Sequence, residues 1–180
     1  MLEEFRNCGP ANRLSRLALY VLFVAIIGNL VNAAHAQPLS FEQPPIDYQT
    51  TVVDDGVARL MERLESGESK LPFDSKHGYL QSVLDALDIP VSSQTLVFSK
   101  TSMQVHRISP RRPRALYFND DVYVGWCQEG EVLEIVATDA RQGPVFYTIK
   151  QSPAESPIIK RDKGQCLICH ASSRTQNVPG

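Results

Sequence analysis

The chain has 180 residues, 18 Lys and Arg against 20 Asp and Glu, a net charge of −2, and a mean hydropathy of −0.18. The length is that of about one domain. The charge balance is that of an ordinary soluble protein and excludes nucleic-acid binding as the main role, which would need a basic excess.

At the N-terminus, Arg6, Arg13 and Arg16 make a positive start, diluted by Glu3 and Glu4, and Leu17 to Val31 is a nearly uninterrupted apolar run. Ala34-His35-Ala36 then matches a small-x-small cleavage site. Residues 1–36 are therefore expected to be an export signal, cleaved after Ala36, which places the protein in the periplasm or outside the cell. The apolar run is also close to the roughly 20 residues that span a bilayer. Retention as an uncleaved anchor stays open, and only then would the protein meet a membrane. No Cys follows the run and Arg13 and Arg16 are not adjacent, which argues against a lipoprotein anchor and a twin-arginine signal.

Residues 37–53 hold Pro38, Pro44 and Pro45 and show no apolar period, as in an extended, surface-hugging arm. From there residues 54–180 read as a single domain. Asp54 or Asp55 can cap a helix to about Ser66, with Val57, Leu60, Met61 and Leu64 along one face. Gly67 and Pro72 break the pattern. Ser75 can cap a second helix to about Leu87, burying Tyr79, Leu80, Val83, Leu84 and Leu87, and Pro90 ends it. The period then becomes that of strands: 95–99, 115–118, 122–127, 132–138 and 145–149, joined by turn-forming residues such as Asn119-Asp120-Asp121 and Gln128-Glu129-Gly130. Helices before a run of strands predict an α+β fold, two N-terminal helices packed on an antiparallel β-meander. An irregular C-terminal segment follows.

That segment carries the most informative residues, Cys166-Leu167-Ile168-Cys169-His170. Cys-x-x-Cys-His is the attachment signature of a c-type haem: two sulfurs three positions apart add to the vinyl groups of one porphyrin, and the next histidine supplies an axial nitrogen to the iron. With four Cys and four His in the chain, chance would produce the pattern about 0.002 times. Export agrees with it, since covalent haem is attached outside the bacterial plasma membrane. Three other chemistries share the residues. Cys127 with Cys166, Cys169 and His170 could hold zinc, although adjacent Cys and His rarely ligate one tetrahedral ion. Cys166 and Cys169 could be a thiol–disulfide redox pair, although no thioredoxin-like βαβ unit precedes them. They could also form a structural disulfide. Cys127, in an apolar strand, reads as a small core residue.

A second protein ligand opposite His170 would make a low-spin electron carrier, and an open position would permit ligand binding or peroxide chemistry. Met103, His106 and His77 are candidates; Met61 lies on the apolar helix face and reads as core. Between Lys100 and Phe118 stand five basic residues, Lys100, Arg107, Arg111, Arg112 and Arg114, and no acidic ones. One or two of the arginines could hold the haem propionates, since a guanidinium matches a carboxylate in planar geometry; the other reading is a solvated loop.

The runs IPVSSQTLVFSKTS (89–102), SPRRPRALYFNDDVYVGW (109–126), LEI (133–135) and GPVFYT (143–148), then CLICH and a terminal VPG, resemble a group of exported bacterial cytochrome c domain proteins. The resemblance implies haem attachment at Cys166 and Cys169 and axial ligation by His170. Members of that group continue past the VPG, so it also implies a short or truncated version here.

The expectation is thus an exported domain with one covalent haem c, serving one-electron transfer with an unspecified redox partner protein. A haem enzyme or sensor with an open iron site, and a non-haem interaction module, are the alternatives.

Overall fold

The alternating runs between Thr95 and Arg161 form one antiparallel sheet in the computed structural model of the protein, which describes residues 40–154 and 157–180. The expected signal, 1–36, and the first residues of the arm lie outside the described residues. The six strands are β1 (Thr95–Val97), β2 (Arg114–Phe118), β3 (Val122–Trp126), β4 (Val132–Asp139), β5 (Gly143–Lys150) and β6 (Ile159–Arg161). Each pairs with its sequence neighbour, so the sheet is a meander. The chain is mixed α+β and mostly sheet. Short turns explain the order from β2 to β5: a tight loop can join only antiparallel neighbours.

Two helices precede the sheet, α1 (Gly56–Glu65) and α2 (Leu80–Ala86). Asp55 caps α1, its Oδ1 accepting from the amides of Val57 at 2.8 Å and Ala58 at 2.9 Å. Its Oδ2 accepts from the Tyr147 hydroxyl at 2.6 Å, which ties the helix start to β5. Burial, and then the Asp55 carboxylate, push the Tyr147 phenol far above its ordinary pKa. The second helix is shorter than its apolar pattern. Gly78 takes a φ of +67°, which ends any helical run from Ser75, and Asp74 caps the turn before it through the amides of Lys76 and His77. The helical φ range excludes such a residue.

Alternation decides which strand residues face the helices. Leu133, Ile135 and Ala137 of β4 and Val145, Tyr147 and Ile149 of β5 are buried with Val57, Leu60, Val83 and Leu84 of the helices in one core. Each fully buried aliphatic side chain contributes about 1.5–3 kcal/mol over exposure. The segment expected as a surface arm differs from that reading. Phe41 and Tyr48 are both buried in the core, because isolated aromatic rings can bury one at a time without any period. The Tyr48 hydroxyl accepts from the Phe146 amide at 3.3 Å, and burial first of all pushes its pKa up to about 12. Strand β6 went unread, being three residues long.

All described residues belong to one unit, Leu39–Gly180. No helix among them is long and apolar enough to cross a membrane.

Candidate functional site

The Cys-x-x-Cys-His segment is a short helix, α3 (Leu167–His170), rather than the irregular stretch expected. Asp162 sets its start: the carboxylate Oδ2 accepts from the amides of Gly164 at 2.9 Å and Cys166 at 3.0 Å. Gly164 turns the chain at a φ of +112°. The helical amide bonds His170 to Cys166 at 3.0 Å and Ala171 to Leu167 at 2.8 Å complete the turn.

One helical turn sorts these residues into two sides. Leu167 and Ala171, four apart, are buried against the core. Cys166, Cys169 and His170 stand at i, i+3 and i+4, neighbouring positions on the turn. Cys169, His170 and Ile168 are exposed, whereas Cys166 is half-buried and packs against the core beside Leu167.

The His170 ring rests on Phe146, with centroids 4.7 Å apart. Its Nδ1 lies 2.9 Å from the main-chain oxygen of Gly180, and the Gly180 amide donates back to the His170 carbonyl at 2.9 Å. A main-chain oxygen can only accept, so Nδ1 carries the proton of this bond, the arrangement of a metal-ligating histidine whose other nitrogen donates to a carbonyl.

Phe146 opens a row across the sheet face turned away from α1 and α2. Register places Val136 beside it, then Tyr123, then Phe118. The last two rings are stacked, 5.6 Å apart. At about 4.8 Å per strand the row runs about 14 Å from β5 to β2. Phe118 and Tyr123 are exposed.

No match to a family model, a curated protein or a solved structure was found.

Among the described residues no group of three or more His, Cys, Asp and Glu converges as a metal site, so Cys127 does not complete a zinc site with the motif. It is buried and free, and burial above all raises its thiol pKa. Cys166 and Cys169 are also free thiols. Burial, followed by the charges of Asp162 and Glu134, pushes the Cys166 thiol up to about 12. A thiol–disulfide catalyst needs the opposite direction at its first cysteine, a depressed pKa that provides thiolate. Iodoacetamide at pH 8 should accordingly alkylate Cys169 at least about tenfold faster than Cys166 in cofactor-free protein. The Cys166 rate should rise only as pH climbs toward its raised value. Peptide mass spectrometry reads both sites, and preferential labelling of Cys166 would restore the redox-pair reading.

The proposed sixth ligands fall in different places. His77 packs on Trp126, centroids 5.8 Å apart, and bonds Asp74. Trp126 is paired with buried Ala115 on the helix-bearing face, so the sheet stands between His77 and the His170 side. Met61 packs at the core margin. Met103 and His106 belong to the loop between β1 and β2. Ser102 bonds Glu134 at 2.6 Å and Gln104 bonds the main chain of Glu131 and Val132, which lays this loop against β4. The His106 Nε2 faces Glu131 at 3.4 Å, whereas the Met103 side chain is exposed.

The basic loop is largely neutralised. Arg107 pairs with Glu131, Arg112 with Glu129 and Arg114 with Glu134. The Arg112 pair is exposed, of a kind that contributes about 0–1 kcal/mol and exchanges readily. Arg114 is nearly buried, and its Nε has no partner among the described residues. Asp162 and the Phe146 row are features of the candidate site that the sequence reading missed. The first was detectable as an Asx turn two residues before Gly164, the second from strand alternation.

Proposed function

We propose that this chain is an exported c-type cytochrome domain that carries one covalent haem and serves one-electron transfer in the periplasm. The observation that carries the reading is the spacing on α3: Cys166, Cys169 and His170 at i, i+3 and i+4, with the His170 Nδ1 donating to Gly180. Cys166 and Cys169 would form the thioethers, and His170 Nε2 would face the iron. When bound, the haem supplies the one-electron couple.

The chain's own residues supply position and shelter. Phe146 and the Gly180 oxygen fix the imidazole plane and its tautomer. Asp162 fixes the turn that brings Cys166 to the start of α3. Phe146, Val136, Tyr123 and Phe118 would exclude water from one side of a bound haem, and such exclusion raises the local electrostatic influence of nearby charges on a redox centre. A neutral Cys166 suits thioether formation, in which sulfur and hydrogen add across a vinyl double bond.

Visible spectra of the oxidised and reduced exported protein test the role. Low-spin bands in both states, with reversible one-electron cycling, are expected. High-spin oxidised bands together with binding of carbon monoxide or peroxide would replace electron transfer by an open-site enzyme or sensor. If Met103 completes the coordination, Met103→Ala should convert the low-spin spectrum to a high-spin one and lower the potential.

A further inference from the structure

We propose that the β1 edge pairs with the same edge of a second copy of this chain, joining two six-stranded meanders into one continuous sheet. β1 is an end strand, with β2 as its neighbour. Its other side is open: among the described residues, the main chain of 95–99 makes no main-chain hydrogen bond outside the β1–β2 pair. Leu96 is 57% exposed and Phe98 65% exposed. Leu96 stands opposite buried Ala115, on the helix-bearing face. In a paired strand, alternation puts Phe98 on that face as well. Residues 89–99 include no charged side chain, and Lys100 ends the run. Exposed apolar side chains without charge are the composition of an interface core.

The occupant follows from the order of the residues. Thr95-Leu96-Val97-Phe98-Ser99 runs polar, apolar, apolar, apolar, polar, the same in both directions. Antiparallel pairing about a two-fold axis at Val97 therefore sets Leu96 against Phe98 of the second copy, and does so twice. It also sets Val97 against Val97, Thr95 against Ser99 and Lys100 against Gln94, so no like charges meet. Moving the axis to Leu96 would set Phe98 against Gln94, and moving it to Phe98 would set Leu96 against Lys100. Self-complementarity of this kind is what a two-fold interface requires, and a strand of another protein would not require the mirror order. A short edge strand closed by a lysine is also how a monomer guards its edge. Here Lys100 lies outside the mirror run, opposite an amide, where it does not oppose pairing. The run is short, and a strand pair of this length buries less than the roughly 1,200 Å² of a stable complex. The dimer should therefore form and dissociate with protein concentration. His170 rests on Phe146 of β5, four strands from β1 and about 19 Å away at the usual strand spacing. Pairing leaves the motif free and requires no haem.

Sedimentation of the exported protein between about 10 μM and about 1 mM, with or without pigment, tests the pairing. Wild type should pass from monomer to dimer across this range. Leu96→Glu sets a carboxylate against Phe98 across the axis and should weaken association about tenfold or more. The double variant L96K/F98E sets opposite charges across the axis twice and should recover most of that loss, whereas L96K/F98K should not. Both positions are exposed, so every variant should melt with wild type. Hydrogen exchange gives a second reading on wild type itself: the amides of 95–99 should exchange more slowly as protein concentration rises, and those of Leu96→Glu should not. Wild type that stays monomeric throughout would overturn the proposal and leave the edge to a strand of another protein. Association that ignores Leu96→Glu, equal behaviour of the two double variants, or slowed exchange centred elsewhere would overturn it too.

Discussion

Replacing both Cys166 and Cys169 by serine should leave an exported protein that yields every trace of pigment to acid–acetone. Cys166 and Cys169 stand three apart on one helical turn, the spacing at which two sulfurs would meet one porphyrin, and the other thiol among the described residues, Cys127, is buried. Single variants are informative by degree. Cys169→Ser removes the exposed sulfur and should leave one thioether through Cys166, with pigment that resists extraction and altered visible bands. His170→Ala keeps both attachment sulfurs, so covalent pigment should persist, but with the axial nitrogen gone the bands should become high-spin. Pigment that stays colour-fast in the double serine variant would contradict the assignment of both cysteines.

The largest stability effect is expected far from the motif. Asp55→Ala should cost about 2–4 kcal/mol, the sum of a lost helix cap and a buried tyrosine hydroxyl left unpaired. For a domain of this size that is a fall in Tm of about 10 °C. Asp55 is 1% exposed, so water cannot take the place of the lost carboxylate. Asp55→Asn keeps an acceptor for the amides of Val57 and Ala58 and should cost less. Tyr147→Phe leaves the Asp55 Oδ2 unpaired, so its cost and that of Asp55→Ala should fall short of additivity in the double variant. Strict additivity by thermal denaturation would show that the 2.6 Å contact carries no coupling.

These two predictions also mark what was legible in the sequence. The strand run was readable because period-two alternation is strong in β4 and β5, where Leu133, Ile135, Tyr147 and Ile149 all face the helices. The first helix was readable from Val57, Leu60 and its Asp cap. The second was overextended because Gly78 ends the pattern through a backbone dihedral, which apolar spacing does not report. Phe41 and Tyr48 were assigned to a surface arm because single buried rings leave no period. At the site, the i, i+3, i+4 geometry of Cys166, Cys169 and His170 follows from their spacing once that stretch is helical. The bond from His170 to Gly180 and the cradle from Asp162 depend on how the tail folds back, and no local pattern encodes that. The basic loop illustrates the same limit. Its five cations look free along the chain, and three of them meet glutamates brought in by β4 and the turn before it.

The central claim is covalent attachment at the C-terminal motif, and intact-mass spectrometry of the protein exported from a host with haem-maturation machinery tests it most directly. The expected mass is that of the chain plus one haem, with fragmentation placing the added mass on the peptide that contains Cys166 and Cys169. An unmodified chain, or one lighter by two hydrogens from a disulfide, would contradict it.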